Sequence, residues 1–122
     1  MIRSFKCPET EALSKGDHIR RFGNIAAVAR RNRQPVFITL AERGILGASP
    51  DGSVEHVAAL SVRGPIDIVG AGDAVMANLA VSMAAAATLH EALEIANAAA
   101  SVVIHKLGTT GTATVQEIAA AL

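Results

Sequence analysis

Between Asp67 and Asp73 the chain reads Asp-Ile-Val-Gly-Ala-Gly-Asp, and an apolar, alanine-laden stretch follows at once. Glycines spaced this way make a tight junction at the start of a helix, so the segment ties the fold to one sharp turn with a helix behind it. A helix start of this kind leaves several backbone N–H groups pointing outward. The helix dipole adds partial positive charge there, and a phosphate can approach closely. Asp73 would stand beside that phosphate, and Asp67, six residues earlier, gives the nest a second flanking carboxylate. The same residues also fit a plainer role, in which the glycines permit close packing and Asp73 only caps the helix.

The 122 residues suffice for one domain, or for one piece of a larger one. Hydrophobic residues make up 51%, yet there is no Trp or Tyr and only 3 Phe. The core must therefore be built from Ala, Val, Ile and Leu, which implies closely approaching helices and sheets. Eleven Lys and Arg balance 11 Asp and Glu, so no overall field draws the chain to nucleic acid or to a membrane surface. Cys7 alone cannot form an internal disulfide, and no export signal is evident, which makes the cytoplasm the expected compartment. The longest apolar run, Ala80 to Ala87, is broken by Ser82 and is far shorter than the roughly 20 residues of a membrane helix.

Periodicity and turn chemistry predict an α/β layer arrangement. Glu9 to Lys15 reads as a short helix closed by Gly16, and Asp17 can cap a second helix that ends near Asn32. Pro35 to Leu40 is rich in β-branched residues, short and without alternation, which predicts a strand buried on both faces and central to its sheet. Ile45–Ala48 and Val54–Leu60 flank Ser49-Pro50-Asp51-Gly52 and predict a hairpin. The stretch Asp73 to Ala87 is apolar nearly all the way round, as in a helix buried on more than one side. Thr88 with Glu91, and Thr114 with Glu117, predict two capping boxes, the first opening a helix that runs to Lys106 with Gly108 as its stop.

Asp67-Ile-Val-Gly-Ala-Gly-Asp73 resembles the second signature of the ribokinase-like (PfkB) carbohydrate kinases, Asp-x-x-Gly-Ala-Gly-Asp. Three other segments match in the family's order. Thr39-Leu40-Ala41-Glu42-Arg43-Gly44 resembles the strand and turn lining its nucleotide site. Ala96-Asn97-Ala98-Ala99-Ala100 with Lys106-Leu107-Gly108-Thr109 resembles its adenine-side helix and following loop, in a form close to ribokinases and heptose-phosphate kinases. Lys6-Cys7-Pro8-Glu9-Thr10-Glu11-Ala12 resembles the segment carrying its Asn-x-x-Glu motif.

The resemblance implies a three-layer α/β ribokinase-like unit in which residues 1–122 form a single partial kinase domain, the C-terminal part of the fold. It implies ATP and Mg2+ as cofactors, with K+ as a further cation. Asp73 is then the base that takes the proton of a sugar hydroxyl, and the amides of Gly70, Ala71 and Gly72 form the anion hole. An Asp at a helix start stays ionised, which suits a base. Thr39, Gly44 and Asn97 would line the nucleotide; Asn97, a lone amide in an apolar helix, could equally bond a neighbouring loop. Asp67, with Val69, Lys106, Gly108 and Thr112, would hold the monovalent cation, while the plainer role of Asp67 is to stabilise its own turn. Glu11 matches the family's magnesium-and-phosphate residue, but Pro8 stands where the motif has Asn, and Ala41 replaces a family Gly. The clustered Arg20, Arg21, Arg30, Arg31 and Arg33 read as a solvated helix face, and His18, His56, His90 and His105 show no metal-ligand spacing.

The matched motifs cover less than half of a usual family member, and the family's sugar-binding residues belong to its N-terminal part. The expectation is a piece of a full kinase, or a half-protein that self-associates to cover an exposed helix face and strand edge. A sugar or sugar phosphate would be a partner once the missing part is supplied. The competing expectation is a non-catalytic nucleotide-binding module.

Overall fold

The computed structural model describes residues 20–122. They form two compact units, one made of the described residues up to Val36 with Ala48–Val54, the other of Phe37–Gly47 with Glu55–Leu122. The elements are α1 (Arg20–Asn32), β1 (Val36–Thr39), a 3-10 turn (Ala41–Arg43), β2 (Ile45–Ala48), β3 (Val54–Val57), α2 (Ala71–Ala84), α3 (Leu89–Ile104) and α4 (Val115–Ala121). This is the expected α/β arrangement. The expected helix Glu9–Lys15, its stop at Gly16, and Pro8 and Glu11 lie outside the described residues.

In the first unit, α1 buries Ile25 and Ala29, one turn apart on the same face. The helix ends where Arg33 takes a left-handed conformation (φ 54°) and the Gln34 amide turns back to the Ala29 carbonyl. The turn at Ser49–Ser53 closes with the Ser49 amide on the Ser53 carbonyl at 3.0 Å. Asp51 Oδ1 accepts from the Ser53 amide at 2.8 Å and from its hydroxyl at 2.7 Å. Those bonds hold the Asp51 carboxyl below its ordinary range, with the Arg30 charge adding less. Gly52 has φ +96°, and a Cβ there would strike the Arg30 guanidinium.

The strands form one antiparallel sheet in the order β1-β2-β3. The predicted hairpin is β2–β3, with β3 ending at Val57 rather than Leu60. All four residues of β2 are buried. β1 is only half-buried and runs out to an exposed Thr39, which corrects the expectation of a central strand buried on both faces. β-branched residues favour a pleated strand but do not say which strand takes the centre.

In the second unit the core gathers Ile45, Val75, Leu79, Leu89, Ala92, Leu93 and Ala96, with Phe37, Val57, Met83 and Ala100 packed against it. Helix α3 is the spine: Ala92, Leu93, Ala96, Ala98, Ala99 and Val103 are fully buried, and its alanines let neighbours approach closely. Its capping box forms as predicted, the Glu91 amide donating to Thr88 Oγ1 at 3.3 Å and the Thr88 amide to the Glu91 carboxylate at 2.8 Å. The Thr88 hydroxyl, which donates to the same carboxylate at 2.7 Å, and after it the Thr88 amide lower the Glu91 carboxyl from its ordinary range. The Thr114–Glu117 box opens α4 in the same way.

Helix α2 corrects a second expectation. It buries Val75, Leu79 and Ser82 but leaves Met76 and Val81 each 69% exposed, so it is covered on one side and not all round. Helix α3 lies along the covered side. The helix also stops at Ala84, where Ala86 turns left-handed (φ 59°) and the Ala87 amide closes on the Ser82 carbonyl.

Candidate functional site

Residues 58–70 connect β3 to α2 without helix or strand. Their end is tied down at Asp67, whose amide donates to the Ile104 carbonyl at 2.8 Å. Its carboxylate accepts the Val69 amide on Oδ1 at 3.0 Å and the Gly108 amide on Oδ2 at 3.2 Å. Gly70 then takes φ +85°, left-handed backbone that L side chains rarely adopt, and serves as the N-cap of α2. A Cβ at Gly70 would also sit 2.9 Å from Thr110 Cγ2.

Helix α2 starts at Ala71, two residues before Asp73. The Ala71 amide donates to the Ile68 carbonyl at 3.2 Å and the Ala74 amide to the Gly70 carbonyl at 2.9 Å. Among the described residues, the amides of Gly70, Gly72 and Asp73 find no acceptor. Of the three amides expected to face an anion, that of Ala71 is engaged by Ile68, while those of Gly70 and Gly72, and of Asp73 beside them, have no acceptor among the described residues. Asp73 is exposed in the first turn of a 14-residue helix, and among the described residues nothing beyond the helix's own neighbouring backbone lies within 4 Å of the position a Gly72 Cβ would take. Unpaired donors, the positive end of a helix dipole and an open approach make this a place where an anion fits.

Of the expected cation ligands, the structure brings Asp67, Val69 and Gly108 together through the two amide bonds. It joins Lys106 to Thr112 by a different route: Lys106 Nζ donates to the Thr112 carbonyl and pairs with Glu117 at 2.8 Å. That ammonium, followed by the Thr114 amide and hydroxyl, pulls the Glu117 carboxyl down to about 2. Lys106 also packs beneath Gly111, where a Cβ would meet its Cβ at 3.0 Å. Each Asp67 oxygen holds one N–H bond and so keeps lone-pair capacity, and carboxylate and carbonyl oxygens are the donors a hard cation takes. Among the described residues no group of three or more His, Cys, Asp or Glu could hold a metal ion.

Two of the remaining candidates, Gly44 and Asn97, meet one segment. Thr39 ends β1 exposed, and the chain returns through Leu40 N to Gly44 O at 2.8 Å and Gly44 N to Ala41 O at 3.0 Å. Ala41 is left-handed (φ 54°). Gly44, at φ +93°, lies so close to β3 that a Cβ would be 1.9 Å from the Val57 carbonyl oxygen. Asn97, buried in α3, donates to the Ala58 carbonyl at 2.6 Å and more weakly to Val57 O at 3.4 Å. Gly44 and Asn97 thus meet the same stretch of backbone just past β3. Sequence reasoning offered a bond to a neighbouring loop as one of two roles for Asn97, but it gave no role to His105, one of whose partners, Arg63, lies 42 residues away.

No described helix is long and apolar enough to cross a membrane. The pfkB family carbohydrate kinase pattern matches residues 9–116. A bifunctional protein HldE from Gluconacetobacter diazotrophicus is 41% identical over 97 residues, covering 80% of this chain and 20% of its own. The ribokinase of Thermotoga maritima superposes with a TM-score of 0.70 at 24% identity, over 93% of this chain and 39% of its own. An Arabidopsis thaliana ribokinase solved with ribose and ATP gives 0.66 at 23%, over 71% and 28%. The chain thus spans about a fifth of that curated relative, and the likeness to the solved ribokinases shows the fold. With the family pattern running over most of its length and the Gly-Ala-Gly turn opening a helix as described, the chain belongs to the pfkB family of carbohydrate kinases.

Proposed function

We propose that this chain is the ATP-binding, base-bearing portion of a carbohydrate kinase that moves the γ-phosphoryl group of ATP to a hydroxyl of a sugar or sugar phosphate. The observation that carries the reading is the set of unpaired amides of Gly70, Gly72 and Asp73 at the start of α2, with the exposed Asp73 carboxylate in the same turn. Those amides receive the charge of the transferring group. Asp73 takes the proton of the attacking hydroxyl as the new O–P bond forms and ADP departs. Phosphoryl transfer depends mainly on positioning and charge stabilisation, so a carboxylate held in line with the attacking hydroxyl is enough. Asp67 contributes by holding the turn through Val69 and Gly108.

The turn from Thr39 to Gly44 and the face of α3 near Asn97 would border the nucleoside. The Arabidopsis relative, solved with ribose and ATP, supports that assignment of substrates. A monovalent cation such as potassium would be held by the Asp67 carboxylate with carbonyls near Val69, Lys106 and Gly108 and the Thr112 hydroxyl, and Glu11 would serve magnesium. When bound, these ions supply positive charge beside the phosphates. The test is ADP release over a panel of sugars and sugar phosphates, comparing the native chain with Asp73→Asn. A loss of about 10²- to 10⁴-fold is expected.

A second reading, a nucleotide-binding module that self-associates without turnover, is favoured by the exposed stripe Met76, Ala77, Ala80, Val81 and Ala84 on α2. It predicts ATP binding without ADP release in both proteins, and a dimer or larger species by size-exclusion chromatography with light scattering. A monomer at high concentration counts against it.

A further inference from the structure

We infer that His105 is a positioning residue of the anion nest, clamping the main chain at Arg63 to the C-terminal end of α3 through one tautomer of its ring. His105 is the C-cap of α3, where the last carbonyls of a helix lack partners within it. Its Nδ1 lies 2.6 Å from the Ser101 carbonyl oxygen, which can only accept, so Nδ1 carries the proton. Its Nε2 lies 3.3 Å from the Arg63 amide, which can only donate, so Nε2 is bare. Both bonds coexist only in the neutral ring protonated on Nδ1.

Two further bonds fasten the same stretch. The Asp67 amide reaches the Ile104 carbonyl at 2.8 Å, and the Gly108 amide reaches Asp67 Oδ2 at 3.2 Å. His105 adds a point of attachment four residues upstream of Asp67, beside Gly64, which is itself left-handed at φ +76°. Residues 59–66 are largely exposed and carry no helix or strand, so among the described residues this bond is what fastens the backbone between Ala58, held by Asn97, and Asp67. Holding Arg63 narrows the conformations from which the Gly70–Asp73 amides must be assembled. The cost of ordering them then falls on folding instead of on ligand binding.

This inference rests on the reading that the nest takes a phosphate, and the experiment separates the two. Isothermal calorimetry of the native chain and of His105→Phe, which keeps a ring but loses both bonds, is run with ATP and with adenosine. The native chain should bind ATP more tightly than adenosine, and the variant should lose about threefold to tenfold for ATP with adenosine unchanged. A native chain with no preference for ATP removes the phosphate nest. A variant that keeps the full preference, or weakens both ligands equally, overturns the clamp. Should the variant fail to fold, nitrogen-15 NMR of the native histidines decides: His105 with Nδ1 protonated and Nε2 bare supports the clamp, and the opposite tautomer overturns it.

Discussion

Gly44 and Gly72 both stand close to where the chain enters its next element, and their surroundings are opposite. At Gly44 a methyl group would lie 1.9 Å from the Val57 carbonyl oxygen and 2.6 Å from the Ala59 amide, on a backbone with φ +93°. The folded chain itself occupies that space. At Gly72 the backbone is helical and, among the described residues, nothing beyond the helix's own neighbouring backbone lies within 4 Å of the same added atom. Packing among the described residues gives no reason for glycine there, and it stands next in the chain to amides that find no acceptor among them. A glycine crowded by its own protein is a packing residue. A glycine beside unpaired donors and open solvent keeps room for something that is not protein.

The contrast predicts opposite outcomes for one chemical change. Gly44→Ala should cost about 3 kcal/mol or more in urea or thermal unfolding, since it joins a backbone clash to a conformation that alanine resists. Near-native stability would show that the Val57–Ala59 backbone yields easily and that the distinction is false. Asn97→Ala tests the other hold on that backbone: losing the bond to Ala58 O should cost about 1–3 kcal/mol in the same measurement. Gly72→Ala should leave stability unchanged or raise it by up to about 1 kcal/mol, because alanine is the better helix residue. Its effect should appear in ATP affinity, and calorimetry that finds affinity intact would deny the open space a role.

The smallest expected effect concerns the loop behind the open turn. Glu117 is depressed to about 2 from an ordinary 4.5 by Lys106 and Thr114. A depressed carboxyl stabilises the fold above its ordinary value and loses that contribution as pH falls through its folded value. Protection of the α4 amides, followed by NMR, should therefore hold above about 4.5 and decline toward about 2.

Much of the fold was legible because its determinants sit a few residues apart. Thr88 with Glu91, Thr114 with Glu117, and the Ser49–Ser53 turn each close within a single turn of chain, so their chemistry can be read along the sequence. The same holds for the left-handed Gly70 at the head of α2. What was misread depends on partners from elsewhere. The pattern of Val36–Leu40 describes a strand but not its neighbours, and β2 took the centre. The all-round apolar composition of α2 does not say how many sides will be covered.

By itself, then, the sequence determined where the chain turns, which helices are capped, and that two carboxylates flank a Gly-Ala-Gly helix start. Only the tertiary structure decided that Asn97 binds Ala58, that the Ala71 amide is engaged while its neighbours are not, and that His105 reaches Arg63. The physical reason is range. Caps and turns are satisfied by groups bonded into the same short loop, whereas the availability of a donor depends on whichever distant backbone the fold brings beside it.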